Sequence, residues 1–260
     1  MSTMVFIAWR GGSPERGEWS PVARLDRVAG DYRFVYTRGA RTLAGFHPFP
    51  GMPDLEEAYH SQTLFPLFAN RLLSKSRPEY EAWLTWIGFD PQCPPEPLAL
   101  LSVTEGIRQT DALEVFPCPV PDASDGKYRT HFFLHGLRHA SSQAQARLTT
   151  LRAGDVLSIE LEDDNTHDPQ AVAVWVDREA RLRLGYVPRY LARDARTLAC
   201  HVSADEIDLR VLRINPGAPL QMRLLCSLTA PWPQGFEPCS GAEFQLLVGD
   251  VALAQVVHGA

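Results

Sequence analysis

Two short stretches hold the residues best suited to chemistry. Glu162–Pro169 (EDDNTHDP) gathers acids, an amide and an imidazole, and Phe132–His139 (FFLHGLRH) sets two histidines and an arginine around a glycine. Asp163, Asp164 and Asp168 invite a metal reading. However, the stretch has neither the glycine nor the terminal glutamate of a calcium loop, so a solvated turn is expected. His135 and His139 are four apart, the spacing of ligands on a helix, but in a strand and its exit that spacing does not converge and no third ligand is evident. Asn165, Asp168 and Pro169 favour a turn, which places their polar groups at a rim, facing solvent or a ligand. The chain has no phosphate-cradling glycine loop, G-x-S-x-G, H-E-x-x-H or carboxylate pair with a nearby lysine. A kinase's catalytic and magnesium-holding motifs are missing too. Binding without catalysis, metal or cofactor is therefore expected.

The elements that position these residues follow from periodicity. GDVLSIEL alternates, with Leu157, Ile159 and Leu161 on one face and Ser158 and Glu160 on the other, while QAVAVWV is apolar almost throughout, as in a strand covered on both faces. SSQAQARLTTL reads as a helix. A second helix starts at Pro188, with Leu191, Ala195, Leu198 and Val202 along one face. Ile207, Leu209 and Val211 predict a strand, and after the turn NPGAP the alternation of Leu220, Met222, Leu224, Cys226 and Leu228 predicts another. The order is strand, helix, three strands, helix, two strands.

Upstream, Val5–Trp9 is a short strand, and Val22–Val28 with Tyr32–Tyr36 forms a hairpin across Ala29-Gly30-Asp31. Leu64, Phe65, Phe68 and Leu72 have helical spacing. Ser76 and Glu79 predict a capping box for a helix carrying Tyr80, Trp83, Leu84 and Ile87, ended by Gly88. PLALLSVT is a further helix and ALEVF a closing strand. Pro117–Gly126 (PCPVPDASDG) has linker composition and divides the chain into residues 1–120, residues 121–230 and a tail, 231–260, in which VGDVALAQVV is a candidate edge strand.

The 260 residues suffice for one large or two small domains. No apolar run approaches the roughly 18 residues of a membrane span, and the N-terminus lacks the pattern of a signal peptide, so a soluble, cytoplasmic protein with no membrane association is expected. Five cysteines without C-x-x-C argue against a disulfide framework or zinc knuckle. Net charge is −6, shared equally: 11 basic against 14 acidic residues in 1–120, and 14 against 17 in 121–260. Bulk duplex binding needs many phosphate neutralisations, so nucleic acid would be held at a small site by a few of the basic residues, all but two of which are arginine. A shallow salt dependence follows, with a slope of about −0.7 per phosphate contact and about two or three contacts.

Four ordered motifs resemble the HIRAN domain, a small module that reads DNA ends. They are F-x-x-x-G-L-R-H (Phe132, Gly136, Leu137, Arg138, His139), A-G-D-V-L (Ala153 to Leu157), D-N-T-H-D-P-Q-A-V (Asp164 to Val172) and L-G-Y-V-P-R (Leu184 to Arg189). His139-Ala140 and Thr166-His167 stand where the family tends to have aromatic residues and Pro-Tyr. The resemblance implies an OB-like, mainly β barrel with a narrow pocket for a single-stranded 3′ end. Asp168 would accept from the terminal hydroxyl, Arg138 would hold a phosphate, and the backbone from Gly136 through Leu137 to Arg138 would approach the strand. His139, His167 and Tyr186 would stack on bases, with Asn165 and Arg189 completing the binding set. Each residue also has a purely structural alternative: Asp168 capping its turn, Gly136 marking a bulge, Arg138 pairing with a surface carboxylate, Tyr186 packing in the core.

Residues 1–120 resemble, more loosely, the N-terminal module of HipA-like proteins, through LFPLFANRLLSKSRPEYEAWLTWIGF and LALLSVTEG, without the kinase body. The fold class implied is α+β: a HipA-N-like module followed by a HIRAN barrel. Two functions fit. One is a non-enzymatic protein that binds single-stranded DNA 3′ ends or damaged or stalled DNA. The other is a regulatory subunit whose residues 1–120 bind a protein partner, a kinase or transcription factor, with the barrel as scaffold.

Overall fold

A computed structural model describes residues 4–11, 18–108 and 112–249. The first sheet comprises β1 (Met4–Gly11), β2 (Glu18–Val28), β3 (Asp31–Tyr36), β4 (Ala58–Ser61) and β5 (Leu113–Pro117), ordered β4-β3-β2-β1-β5 with every pairing antiparallel. β2 begins earlier than its apolar run suggests. Pro21 is carried inside the strand at the register shift opposite Ile7 and Ala8, where a missing N–H breaks no regular ladder bond. Around this sheet lie α1 (Arg38–Thr42), α2 (Pro66–Ala69), α3 (Tyr80–Trp86) and α4 (Pro97–Thr104).

The predicted capping box at Ser76 does not form. Pro78 has no N–H to continue a helix, the chain turns twice (Arg77 N–H to Ser74 O, Tyr80 N–H to Arg77 O), and Ser76 Oγ is 2.9 Å from Ser74 Oγ. α3 therefore starts at Tyr80, with Glu79 as its cap residue and no side-chain cap bond. Gly88 ends it as expected, at φ 85°.

The second sheet holds β6 (Tyr128–Phe133), β7 (Val156–Leu161), β8 (Val172–Asp177), β9 (Leu182–Tyr186), β10 (Asp208–Ile214) and β11 (Leu224–Ala230), with α5 (Ser142–Leu148) after β6 and α6 (Arg189–His201) after β9. This is the predicted order of elements. The predicted strand from Leu220 starts four residues late: Pro219 opens a 3-10 turn over Leu220–Met222, and Leu220 is 43% exposed rather than facing the core. Strand order is β6-β11-β10-β7-β8-β9. Its two edges meet just beyond β6, where His135 and Tyr186 exchange backbone hydrogen bonds of 3.0 and 2.9 Å. The sheet is thus curled into a partly open barrel, consistent with the OB-like expectation. Gly185 permits this closure, since a Cβ there would stand 2.2 Å from His135 O.

The two sheets share apolar packing. Phe6, Ala8 and Phe116 belong to the same buried cluster as Tyr128, Phe132 and Tyr190, and Phe116 stacks on Tyr190 with centroids 5.0 Å apart. Tyr80, Trp83 and Leu84 of α3 and Leu100 and Val103 of α4 pack against Phe133 and Leu225. Beyond β11 the chain returns to the first sheet: Phe244 meets Phe6 edge-on at 5.0 Å, and Leu247 N–H donates to Tyr36 O. Most of the candidate edge strand VGDVALAQVV lies outside the described residues. No helix among those described is long and apolar enough to cross a membrane.

Candidate nucleic-acid interface

The site residues gather where the barrel closes. Gly136 follows the His135–Tyr186 bridge in the left-handed region (φ 75°), which turns the chain off β6 into a 3-10 turn over Leu137–His139. A Cβ on Gly136 would stand 3.1 Å from Tyr186 Cδ2, so a glycine lets the Tyr186 ring lie against the turn. The Leu137 side chain is buried in the core, which leaves only its backbone for a ligand, while Arg138 and His139 are exposed. Arg138 Nε–H donates to His139 Nε2 at 2.8 Å. No carboxylate among the described residues pairs with Arg138.

Across the ring of Tyr186 stands the EDDNTHDP turn. Glu162 organises it, a role the sequence patterns did not single out. One carboxylate oxygen accepts from Tyr186 Oη–H (3.0 Å) and Asn165 Nδ2 (2.9 Å), and the other from Arg183 Nη1 (2.7 Å). Burial pushes the Glu162 carboxyl up, but these hydrogen bonds from Asn165, Arg183 and Tyr186 outweigh it and hold the group below its ordinary range. Burial, then the bond to Glu162, raises the Tyr186 phenol. The Arg183 guanidinium also lies over the Tyr186 ring, 4.8 Å from its centroid. Only alternation along RLRLGY hints at Arg183, by placing Arg181 and Arg183 on one face.

Asn165 Oδ1 accepts from the backbone N–H of His167 (3.0 Å) and Asp168 (3.1 Å), fixing the turn. Asp168 caps the next step, its Oδ1 accepting from Gln170 N–H at 2.9 Å. Its Oδ2 is 3.6 Å from Arg189 Nε, an ion pair looser than a hydrogen bond. An ionised carboxylate has about four lone-pair sites, so Asp168 keeps acceptor capacity despite its structural role. Gly136, Tyr186, Asn165, Asp168 and Arg189 thus form one connected set. His167 projects its imidazole to solvent with only its backbone tied in.

Leu137, Arg138 and His139 also border a cleft of about 490 Å3 between the barrel and the first sheet, where Arg10, Arg108 and Glu114 face them. His135 closes its floor. Its Nε2 is 2.8 Å from Glu105, whose other carboxylate oxygen accepts from Tyr190 Oη–H at 2.9 Å. Burial lowers the His135 imidazole, but the attraction of Glu105 and the hydrogen bond to it prevail and leave it above its ordinary value. One nitrogen of each histidine, His135 Nε2 and His139 Nε2, is thus taken by a protein partner, and no group of three or more potential metal ligands forms among the described residues.

Comparison with known proteins gives one family. Residues 127–232 match the model of the HIRAN domain, which covers β6 through β11 and the whole connected set. This match supports a HIRAN-containing protein and is consistent with nucleic-acid binding. No curated protein matches the chain. A solved structure of a protein from Lactobacillus plantarum is similar at 24% identity over 40% of this chain and 99% of that one, with a TM-score of 0.29.

Proposed function

We propose that the protein is a non-enzymatic nucleic-acid-binding protein that takes a single-stranded DNA 3′ end at the mouth of the closed barrel. The observation that carries this reading is the connected set with Arg138 beside it: a carboxylate with spare acceptor capacity linked through Asn165 to a half-buried tyrosine, a left-handed glycine against that ring, and, two residues on, an arginine with no carboxylate partner among the described residues. A terminal 3′-hydroxyl donates to Asp168, Arg138 neutralises a phosphate, and Tyr186 and His139 offer flat faces to bases. Arg183 and Glu162 hold the Tyr186 ring in place, and Arg189 steadies Asp168.

Asp168 and Arg138 test the assignment by failing differently. An anionic acceptor favours a 3′-hydroxyl and repels a 3′-phosphate; a charge-assisted hydrogen bond is worth roughly 1.5–3 kcal/mol, so wild type should discriminate by about tenfold or more. Asp168→Ala should remove most of that preference, because the repulsion and the hydrogen bond disappear together. Arg138→Ala should weaken both ligands alike. An Asp168→Ala protein that discriminates as well as its parent would remove Asp168 from the site.

The chain's net charge of −6 supports a second reading. In it, residues 1–120, HipA-like in sequence, form a docking module for a protein partner and the barrel is its scaffold. Residues 1–120 binding a protein partner while no oligonucleotide binds the whole chain would favour it.

A further inference from the structure

We infer that the nucleic-acid path does not stop at the barrel but continues into the cleft between the two sheets, where the first sheet and the segment after α4 supply phosphate contacts through Arg10 and Arg108. The inference rests on the nucleic-acid reading above and extends it to residues outside 127–232. The cleft begins at the same Gly136–His139 turn that borders Tyr186, so a strand leaving the barrel mouth along this turn enters it without crossing another element. Three arginines line it: Arg138 from the barrel, Arg10 at the end of β1 and Arg108 after α4. Their charges are only partly offset. Glu114, the acid in the lining, is buried and accepts from both Arg10 and Trp19 Nε1, whereas Arg108 donates to the Asn70 carbonyl and Arg138 to His139, neither of which carries a formal negative charge. Among the described residues, the lining thus holds two arginines without a carboxylate partner and a third that is half exposed, in a protein whose overall charge is negative. Glu105, a further acid near it among the described residues, is buried against His135 and Tyr190.

A volume of about 490 Å3 is of the size that encloses a small molecule, which corresponds to a nucleotide or two rather than a duplex. A single-stranded backbone with its bases unpaired is the occupant that this charge and shape fit.

The test uses the full chain and oligothymidylates of three and ten nucleotides, each with a 3′-hydroxyl, with affinity measured by fluorescence anisotropy at several salt concentrations. Arg108 is exposed, so Arg108→Ala should leave the melting temperature unchanged; Arg10→Gln keeps a donor for the buried Glu114. The double variant should lose affinity for the ten-mer and flatten its log–log salt slope by about 1.4, at about 0.7 per phosphate contact. Its affinity for the three-mer, and its preference for a 3′-hydroxyl, should be unchanged. Wild-type binding of both oligonucleotides with no effect of the double variant on the ten-mer would overturn the inference while leaving the barrel site intact. Failure of the wild type to bind either would instead strike the nucleic-acid reading on which it rests.

Discussion

At the scale of single residues, the proposed site is made of side chains that already have structural work. Asp168 caps its own turn and Asn165 ties two backbone N–H groups, and Asn165 also reaches the Tyr186 hydroxyl. Gly136 illustrates how tight the arrangement is. Any L-residue there is strained at φ 75° by roughly 1–2 kcal/mol, and its Cβ would press on Tyr186. Gly136→Ala should therefore lower stability by about that amount and weaken single-strand binding by more than the loss of stability explains, because the ring is displaced. Denaturant unfolding and an oligonucleotide titration of the same variant check this. Unchanged binding would show that the Tyr186 position does not matter to the ligand.

Among elements, the joint between α6 and β6 carries a titratable group. Asp194 of α6 is buried, accepts from Tyr128 Oη–H of β6 at 3.1 Å, and is raised to about 7 by burial, which the Tyr128 bond only partly opposes. An acid whose folded pKa exceeds its unfolded value binds more protons in the folded state. Its stabilisation is complete below the unfolded pKa and is lost as pH rises through the folded one. His135, raised beside Glu105, loses its contribution in the same direction. The melting temperature should thus fall as pH rises from about 6 to 8, and Asp194→Asn, neutral throughout, should make that fall shallower. An unaltered slope in Asp194→Asn would refute the assignment.

These joints also mark what the sequence could convey. The succession of strands along the chain, the two barrel helices and the turn at Asn165–Asp168 were legible because period-2 and period-3.6 patterns and turn residues are local signals. The Leu220 strand was misread because alternation continued across Pro219, which instead opened a 3-10 turn. Ser76 looked like a cap, but Pro78 interposed turns before α3. Arg183 left only the alternation along RLRLGY, and Glu162 and the Glu105–His135–Tyr190 network left no local trace. Their partners lie 21 or more residues away, except for the Glu162–Asn165 bond, and only barrel closure and the meeting of the two sheets bring them together.

For the whole molecule, the shared packing of Phe6, Phe116 and Tyr190, and of α3 and α4 against Phe133 and Leu225, joins the first sheet to the barrel and makes it one wall of the cleft beside the proposed site. The overall acidity is compatible with nucleic-acid binding because a few arginines are concentrated beside the barrel mouth, which favours a flexible single strand over a rigid duplex that would bring the acidic surface against its phosphates. The most direct measurement is a titration of the full chain against one sequence offered as a single strand with a 3′-hydroxyl, the same strand with a 3′-phosphate, and a blunt duplex. Tightest binding is predicted for the 3′-hydroxyl strand, by about tenfold or more over the phosphate, with the duplex weaker still. Equal binding of all three, or binding of none, would contradict the account.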